Sequence, residues 1–312
     1  MSCPKRWATA SPSAAGNVSV AAGVVAPGSL DGLRVGVAQV GATVGDVAAN
    51  LRLARRHVRL AASRGCDLVV FPECFVQGYS IRPEILELAE TVEGAAAREL
   101  CVLAATNHVA IVCGFLERNP GDADHPFNAG LVIAADGKLA GVYRKTHLFE
   151  REHEAFVRGD DYPVFDLTLG KASAPRRVRV GVCICADIEY PEVARVLALA
   201  GAQLLAVPSA DMEPYRAQQA ANLASRAIEN NLYVALANTV DRRRGVTFFG
   251  GSGIAGPDGS LVSAGYLRPR LAVATLSDAA VEASGGQGAY LRARRPETYR
   301  GLLQAASESS TV

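Results

Sequence analysis

Short unbroken apolar runs alternate along this chain with longer stretches in which apolar positions recur every three or four residues. The runs at 33–39, 68–71, 109–116, 178–184, 204–207, 232–238, 253–255 and 271–276 are strand-sized and bounded by polar or turn residues. The stretch 46–64 places Val47, Leu51, Ala54, Val58 and Ala61 on one helical face and closes at Gly65. Helices are likewise predicted over 95–107, over 191–200 with Pro191 in the first turn, and over 215–230. Asp136-Gly137 between apolar runs at 128–134 and 139–143 predicts a hairpin. Strand, helix and strand follow one another twice with short connections, which implies one α/β domain; the hairpin makes its sheet mixed.

Residues 1–30 are rich in Ala, Ser, Gly and Val without a sustained period, so a disordered leader is expected there, a folded domain over 31–303, and a flexible tail over 304–312. Charge is balanced, with 32 Lys and Arg against 31 Asp and Glu, which argues against a nucleic-acid or membrane-surface partner. No apolar run approaches the roughly 20 residues of a bilayer span, and the leader lacks the apolar core of a secretory signal. Seven scattered cysteines suit free thiols in a reducing cytoplasm. Cys183 and Cys185 have no second Cys or His pair to complete a zinc set, so no metal is expected.

Three segments place a reactive side chain where a buried run ends, the position at which α/β proteins gather ligands. They are Phe71-Pro72-Glu73-Cys74, Tyr143-Arg144-Lys145-Thr146-His147-Leu148-Phe149 and Gly181-Val182-Cys183-Ile184-Cys185-Ala186-Asp187. Singly, each has a plain structural explanation: a solvated or capping Glu, a surface Lys, a Cys that packs as a small hydrophobe.

Together they resemble the nitrilase superfamily of carbon-nitrogen hydrolases, whose members draw a Glu, a Lys and a Cys from three such segments. Further motifs recur in family order: Val37-Ala38-Gln39, Asn50, Gly78-Tyr79, Asn128, Tyr190-Pro191-Glu192, Pro208-Ser209, Arg226-Ala227, Glu229-Asn230, Asn238 and Gly256-Pro257-Asp258-Gly259. The resemblance implies a four-layer α-β-β-α sandwich of two mixed sheets, no cofactor, a small-molecule amide as substrate, and a homodimer or larger assembly. It implies Cys185 as nucleophile, Glu73 as base, and Lys145 with the Ala186 N–H as oxyanion donors. The roles suit the chemistry, because a thiol with an ordinary pKa of about 8.5 needs both a base and a cation. Cys183 is the alternative nucleophile, and packing is expected of it. A structural hydrogen bond near Lys145 is expected of His147. A second family glutamate falls on Glu152, before Phe156 and Gly159, with Glu150 and Glu154 as neighbouring registers.

The stretch from Cys185 to Glu192, with Pro208-Ser209-Ala210-Asp211-Met212, looks closest to bacterial amidases that act on ω-amino amides and amino acid amides. Tyr79, Ala186, Asp211 and Met212 are therefore expected at the substrate. Asp211 either pairs with a substrate amine or caps the helix that starts near Pro214. Ala186 stands where relatives carry an aromatic residue, which leaves room for a larger acyl group. An N-carbamoyl hydrolase, a nitrilase, an amide-forming acyltransferase and a non-catalytic binding protein remain open as alternatives.

Overall fold

The structure is a computed structural model that describes residues 28–243, 245–283 and 287–304. In chain order its first half contains β1 (Arg34–Gln39), α1 (Val47–Ser63), β2 (Leu68–Val70), α2 (Pro83–Leu86), α3 (Ala95–Asn107), β3 (Ala110–Glu117), β4 (Phe127–Ile133) and β5 (Leu139–Arg144). The second half contains β6 (Val164–Leu169), β7 (Arg176–Val182), α4 (Pro191–Leu199), β8 (Leu204–Ser209), α5 (Arg216–Asn230), β9 (Tyr233–Asn238), β10 (Val240–Arg243), β11 (Val246–Phe249), β12 (Gly253–Ala255), β13 (Leu261–Ser263) and β14 (Arg270–Thr275), followed by the short helices α6 (Asp278–Ala283) and α7 (Gln287–Arg292).

Two six-stranded sheets run β14-β1-β2-β3-β4-β5 and β13-β12-β9-β8-β7-β6, and β10 and β11 form a separate ribbon. Each large sheet has three parallel central strands flanked by antiparallel ones. Three apolar clusters define the layers. Val35, Val37, Val70 and Val112 of one sheet meet Val180, Val182, Leu204 and Ala235 of the other in a central core. The opposite face of the first sheet packs Val69, Ile111 and Leu131 under α1 and α3 through Leu51, Val58 and Leu100. That of the second packs Leu205, Val207 and Leu236 under α4 and α5 through Val193, Leu197 and Leu223. The four-layer sandwich of two mixed sheets expected above is thus present, and strands covered on both faces explain why their sequences run apolar without alternation.

The predicted helices and central strands fall within a residue or two of their expected bounds. The Asp136-Gly137 turn closes the β4–β5 hairpin, with Gly137 at φ 84° and the Ala134 N–H donating to the Lys138 carbonyl. The edge strands β6 and β13 and the β10–β11 ribbon were not expected; their residues are partly exposed and carry polar side chains. Residues 1–27 of the expected leader and 305–312 of the expected tail lie outside the described residues. Residues 28–30 do not behave as a leader: Leu30 is buried in the central core, and the Gly28 N–H donates to the Arg177 carbonyl at 2.8 Å, which moves the start of the packed chain ahead of residue 31.

One glycine ties the fold to the segment after β2. Gly114 on β3 lies against the Pro72-Glu73-Cys74 backbone, where a Cβ would collide with the Pro72 oxygen and the Cys74 nitrogen and stand 2.6 Å from the Glu73 carbonyl carbon. Only backbone atoms are in the way, so no side chain can swing aside. We expect Gly114→Ala to lower stability by about 1–3 kcal/mol, as overpacking does. Urea denaturation of the variant measures this, and unchanged stability would mean that the turn has slack.

Candidate active site

Pro72 ends the pairing of β2 with β3, and the chain turns so that the next side chain, Glu73, points into the interior at the ends of the strands. The Glu73 N–H donates to the Ser209 carbonyl at 3.3 Å, so this turn bridges the two sheets. Lys145 leaves β5 directly, its N–H donating to the Asn128 carbonyl on β4 at 2.8 Å. The Lys145 side chain is fully buried, and Nζ donates to Glu73 Oε1 at 2.7 Å and to Glu152 Oε2 at 2.8 Å. An ammonium carries three N–H donors, so one remains for a ligand. Asn128 Nδ2 also donates to Glu73 Oε1, at 2.7 Å, whereas Glu73 Oε2 is buried without a hydrogen-bond partner.

Glu152 belongs to a 3-10 turn, Glu150–Glu154, in which it alone among the three glutamates is buried. It accepts from the Phe149 N–H at 2.8 Å and from the Tyr79 hydroxyl at 2.9 Å. Of the three, it is Glu152 that faces the ammonium. Burial pushes the Glu73 carboxyl up to about 7, against Lys145 and with the help of Glu152. Burial alone would lower the Lys145 pKa, but the Glu152 and Glu73 charges outweigh it and hold the amine well above its usual value.

Cys185 opens a second 3-10 turn, Cys185–Glu189, immediately beyond β7. Its φ of 48° lies in the left-handed region, which costs a non-glycine residue about 1–3 kcal/mol and persists only where surrounding contacts enforce it. Those contacts are explicit. Asp187 Oδ2 accepts from the Ile184 N–H at 2.8 Å and from the Tyr143 hydroxyl at 2.7 Å. Asp187 Oδ1 accepts from the Thr146 hydroxyl and the His147 N–H, both at 2.9 Å, and lies 3.0 Å from His147 Nδ1. One buried carboxylate thus fastens the cysteine turn to the residues on both sides of Lys145. Arg226 on α5 closes the other end of the turn, donating to the Ile188 and Glu189 carbonyls at 3.0 and 3.1 Å. His147 makes the structural bond expected of it and stacks on Tyr190 at 3.9 Å between ring centroids. Cys183 is buried in the cluster under α4 and α5, where it packs with Ile188 of this turn.

The Cys185 thiol, 8% exposed, donates to Asp211 Oδ1 at 3.1 Å. Asp211 follows β8 and does not cap the following helix; its N–H donates to Asn238 Oδ1 at 2.8 Å, and Asn238 Nδ2 returns a bond to its carbonyl at 3.1 Å. Burial, then the Asp211 and Glu73 charges, push the thiol well above its ordinary value, and Lys145 opposes them. The resting nucleophile candidate is therefore a neutral thiol within the field of Glu73, Lys145 and Glu152. Ala186 is second in the turn, where its N–H has no acceptor inside the turn.

Beside this cluster opens a cavity of about 380 Å³. Tyr79, Glu152, Phe149, Met212 and Phe248 line it, while Glu73, Lys145, Cys185, Ala186 and Asp211 lie outside its lining. Of the expected substrate residues, Tyr79 and Met212 thus face the cavity, and Ala186 and Asp211 stand at the thiol. Among the described residues, no group of three or more His, Cys, Asp or Glu side chains is placed to hold a metal. A thiol, a partnerless carboxylate oxygen and an ammonium with a spare N–H are what acyl transfer from a carbonyl group needs.

Two sheets with outer helices, and a Cys turn beside a Glu-Lys-Glu cluster, define a carbon-nitrogen hydrolase. Residues 34–284 match the carbon-nitrogen hydrolase family, and the chain belongs to it. It is 39% identical over 260 residues, 82% of this chain and 87% of the relative, to a hydrolase in the pqqF 5′ region of Pseudomonas protegens. It is 32% identical over 231 residues, 74% of this chain and 80% of the relative, to an (R)-stereoselective amidase of a Pseudomonas species. Among solved structures, an alanine-for-cysteine variant of the amidase from Nesterenkonia sp. AN1 in complex with butyramide superposes with a TM-score of 0.74 at 27% identity, covering 87% of this chain and 97% of that one. Another structure of that amidase carries acrylamide added at its active site cysteine.

In the sequence Asp187 stood only as the last residue of the cysteine segment, without a role; the structure turns its carboxylate onto backbone and hydroxyl donors, outside the cavity lining. Its signal was an Asp in the first turn after a strand, a capping position. Asp187→Asn would set an amide N–H₂ against groups that are themselves donors. We expect a loss of roughly 2–3 kcal/mol in denaturant stability, the scale of hydrogen bonds to a buried charge. A change below about 0.5 kcal/mol, the range of ordinary surface substitutions, would show that the network is dispensable.

Proposed function

We propose that this chain hydrolyses a small carboxamide to acid and ammonia through a thioester on Cys185. The observation that carries this is Glu73 Oε2, a buried carboxylate oxygen with no partner, next to an ammonium that keeps one N–H unspent. Glu73 takes the thiol proton as sulfur attacks the carbonyl carbon. The developing oxyanion is held by Lys145 and the Ala186 N–H. Collapse breaks the carbon-nitrogen bond, and the proton on Glu73 leaves with the nitrogen as ammonia. Water then attacks the thioester while Glu73 takes its proton, and release of the acid returns that proton to the thiol. Glu152 orients Lys145 and is itself oriented by Tyr79.

Asp211 narrows the substrate. An ammonium beside the scissile carbonyl pairs with its carboxylate in place of the thiol, and the thiol is then free to turn to Glu73. Amino acid α-amides have that group there, whereas ω-amino amides carry it at the far end of the chain. Tyr190, Val196 and Leu199, 45%, 44% and 50% exposed on and beside α4, offer a face for a second copy of the chain, so a homodimer is our reading of the assembly. The six described cysteines are all free thiols, which suits the reducing cytoplasm. No helix among the described residues is long and apolar enough to cross a membrane.

Ammonia release from a panel of amides, ureido compounds and nitriles tests the bond cleaved. Amides should be turned over, and Cys185→Ala should reduce the rate by at least about 1,000-fold, as removal of a nucleophile does. Turnover confined to nitriles or ureido compounds would refute the amidase reading. The pH dependence follows from the base. Glu73 must be ionised to accept a proton and has its carboxyl raised to about 7, so kcat/KM should fall as pH drops through about 7. Activity still level at pH 5 would exclude Glu73 as the base.

A further inference from the structure

The outer part of the cavity has no place in the steps above, yet two of its walls are guanidiniums. Arg82 precedes α2, and Arg243 is the last residue of β10; they come from segments more than half the chain apart and meet at the same opening. Arg243 lies over the Phe248 ring at 5.1 Å, and its Nε is 3.0 Å from Asp241 Oδ2. Arg82 Nη1 is 2.9 Å from Glu84 Oε1. Neither Asp241 nor Glu84 lines the cavity, so each acid holds its arginine from behind. The third arginine of the wall, Arg151, is occupied by Glu154 through Nε and Nη2. Of the two carboxylates in the lining, Glu152 is taken up by Lys145 and Tyr79, and Glu150 is exposed.

The Arg82 and Arg243 charges repel each other. Burial disfavours the Arg243 charge, and the Arg82 charge adds to that against the attraction of Asp241. An anion seated between them relieves the repulsion. Guanidiniums fit a carboxylate through paired N–H donors, and Phe248 fixes the plane of one of them. The same lining carries Met212, Val246 and Phe248, apolar side chains suited to a short hydrocarbon.

We propose that Arg82 and Arg243 form a carboxylate subsite, so that the amide this cavity selects carries a carboxylate at the end remote from the scissile carbon-nitrogen bond. The substrate half of this rests on the amidase reading of the inner site; the anion half rests on the cavity alone. With an ammonium at Asp211, the selected molecule is the α-amide of an amino acid whose side chain ends in a carboxylate.

Three α-amides that share the ammonium and differ only at the far end test it: those of glutamic acid, norvaline and ornithine. The wild-type protein should favour the glutamic acid α-amide over norvalinamide by about tenfold or more in kcat/KM, the scale of a partly buried charge pair, and should disfavour ornithinamide. In Arg82→Gln and in Arg243→Gln the first ratio should fall toward one. Equal rates on the three amides in the wild type, or a ratio that neither substitution moves, would overturn the subsite. Calorimetry with glutarate reads the anion without turnover: the wild-type protein should bind it, and the double variant about tenfold or more weakly. Equal affinity, or no binding by the wild type, would equally overturn the proposal. Glutarate binding with no hydrolysis of any amide would leave the subsite standing and remove the amidase reading instead.

Discussion

A fully buried ammonium held between two carboxylates is the contact on which the site depends. Taking a single lysine or glutamate out of water costs several kcal/mol, and neither Glu73 nor Lys145 could stay charged in the interior alone. Their 2.7 Å contact, with Glu152 at 2.8 Å on the other side, makes charge tolerable there. Two acids share one cation, and burial, opposed by Lys145 and reinforced by Glu152, lifts the Glu73 carboxyl to about 7. A carboxylate in that range can both take and return a proton at neutral pH.

Charge alone would not bring a thiol to this place. The two sheets contribute separately, Glu73 and Lys145 from one and Cys185 and Asp211 from the other. They are joined by a few polar contacts across the strand ends. Asp187 gathers the cysteine turn and the segment around Lys145 on one carboxylate, and the Glu73 N–H reaches the Ser209 carbonyl; within the second sheet Asn238 brackets the Asp211 backbone. The positive φ at Cys185 is the cost of this assembly, and Arg226 and Asp187 at either end of the turn offset it. The apolar core fixes where the sheets sit, while the polar contacts hold the cysteine turn against the segment around Lys145.

Much of this was readable from residue order. Central strands announced themselves because burial on both faces leaves only apolar residues, as in 68–70 and 204–207. The helices showed their buried stripe, and Asp136-Gly137 its turn. Edge elements did not: β6 alternates Phe165, Leu167 and Leu169 inward with Asp166 and Thr168 outward, a pattern of period two too short to stand out beside Gly and Pro. Glu73, Lys145, Glu152 and Cys185 were legible through family resemblance and then through chemistry. The thiol's bond to Asp211 was not, since it depends on the exit of β8 converging on the exit of β7, which no local pattern encodes. The same holds for Arg82 and Arg243, which face one cavity from the two halves of the chain. Asn50, Asn128, Arg226 and Asn238 stood out as motif letters without roles; Asn50, Arg226 and Asn238 prove to donate to backbone carbonyls and Asn128 to the Glu73 carboxylate.

The central claim, that one ammonium makes two buried carboxylates possible, is most directly tested by urea denaturation of Lys145→Met and the wild type from pH 8 down to pH 5. Without the cation, the folded variant can shelter Glu73 beside Glu152 only by binding at Glu73 a proton that the unfolded chain releases at these pH values. A folded-state affinity raised in this way gives stability that is present at low pH and lost as pH rises. The account therefore predicts a stability deficit that is large at pH 8 and shrinks steadily toward pH 5. A deficit of the same size at every pH would contradict it, because the lysine would then be contributing bulk rather than charge.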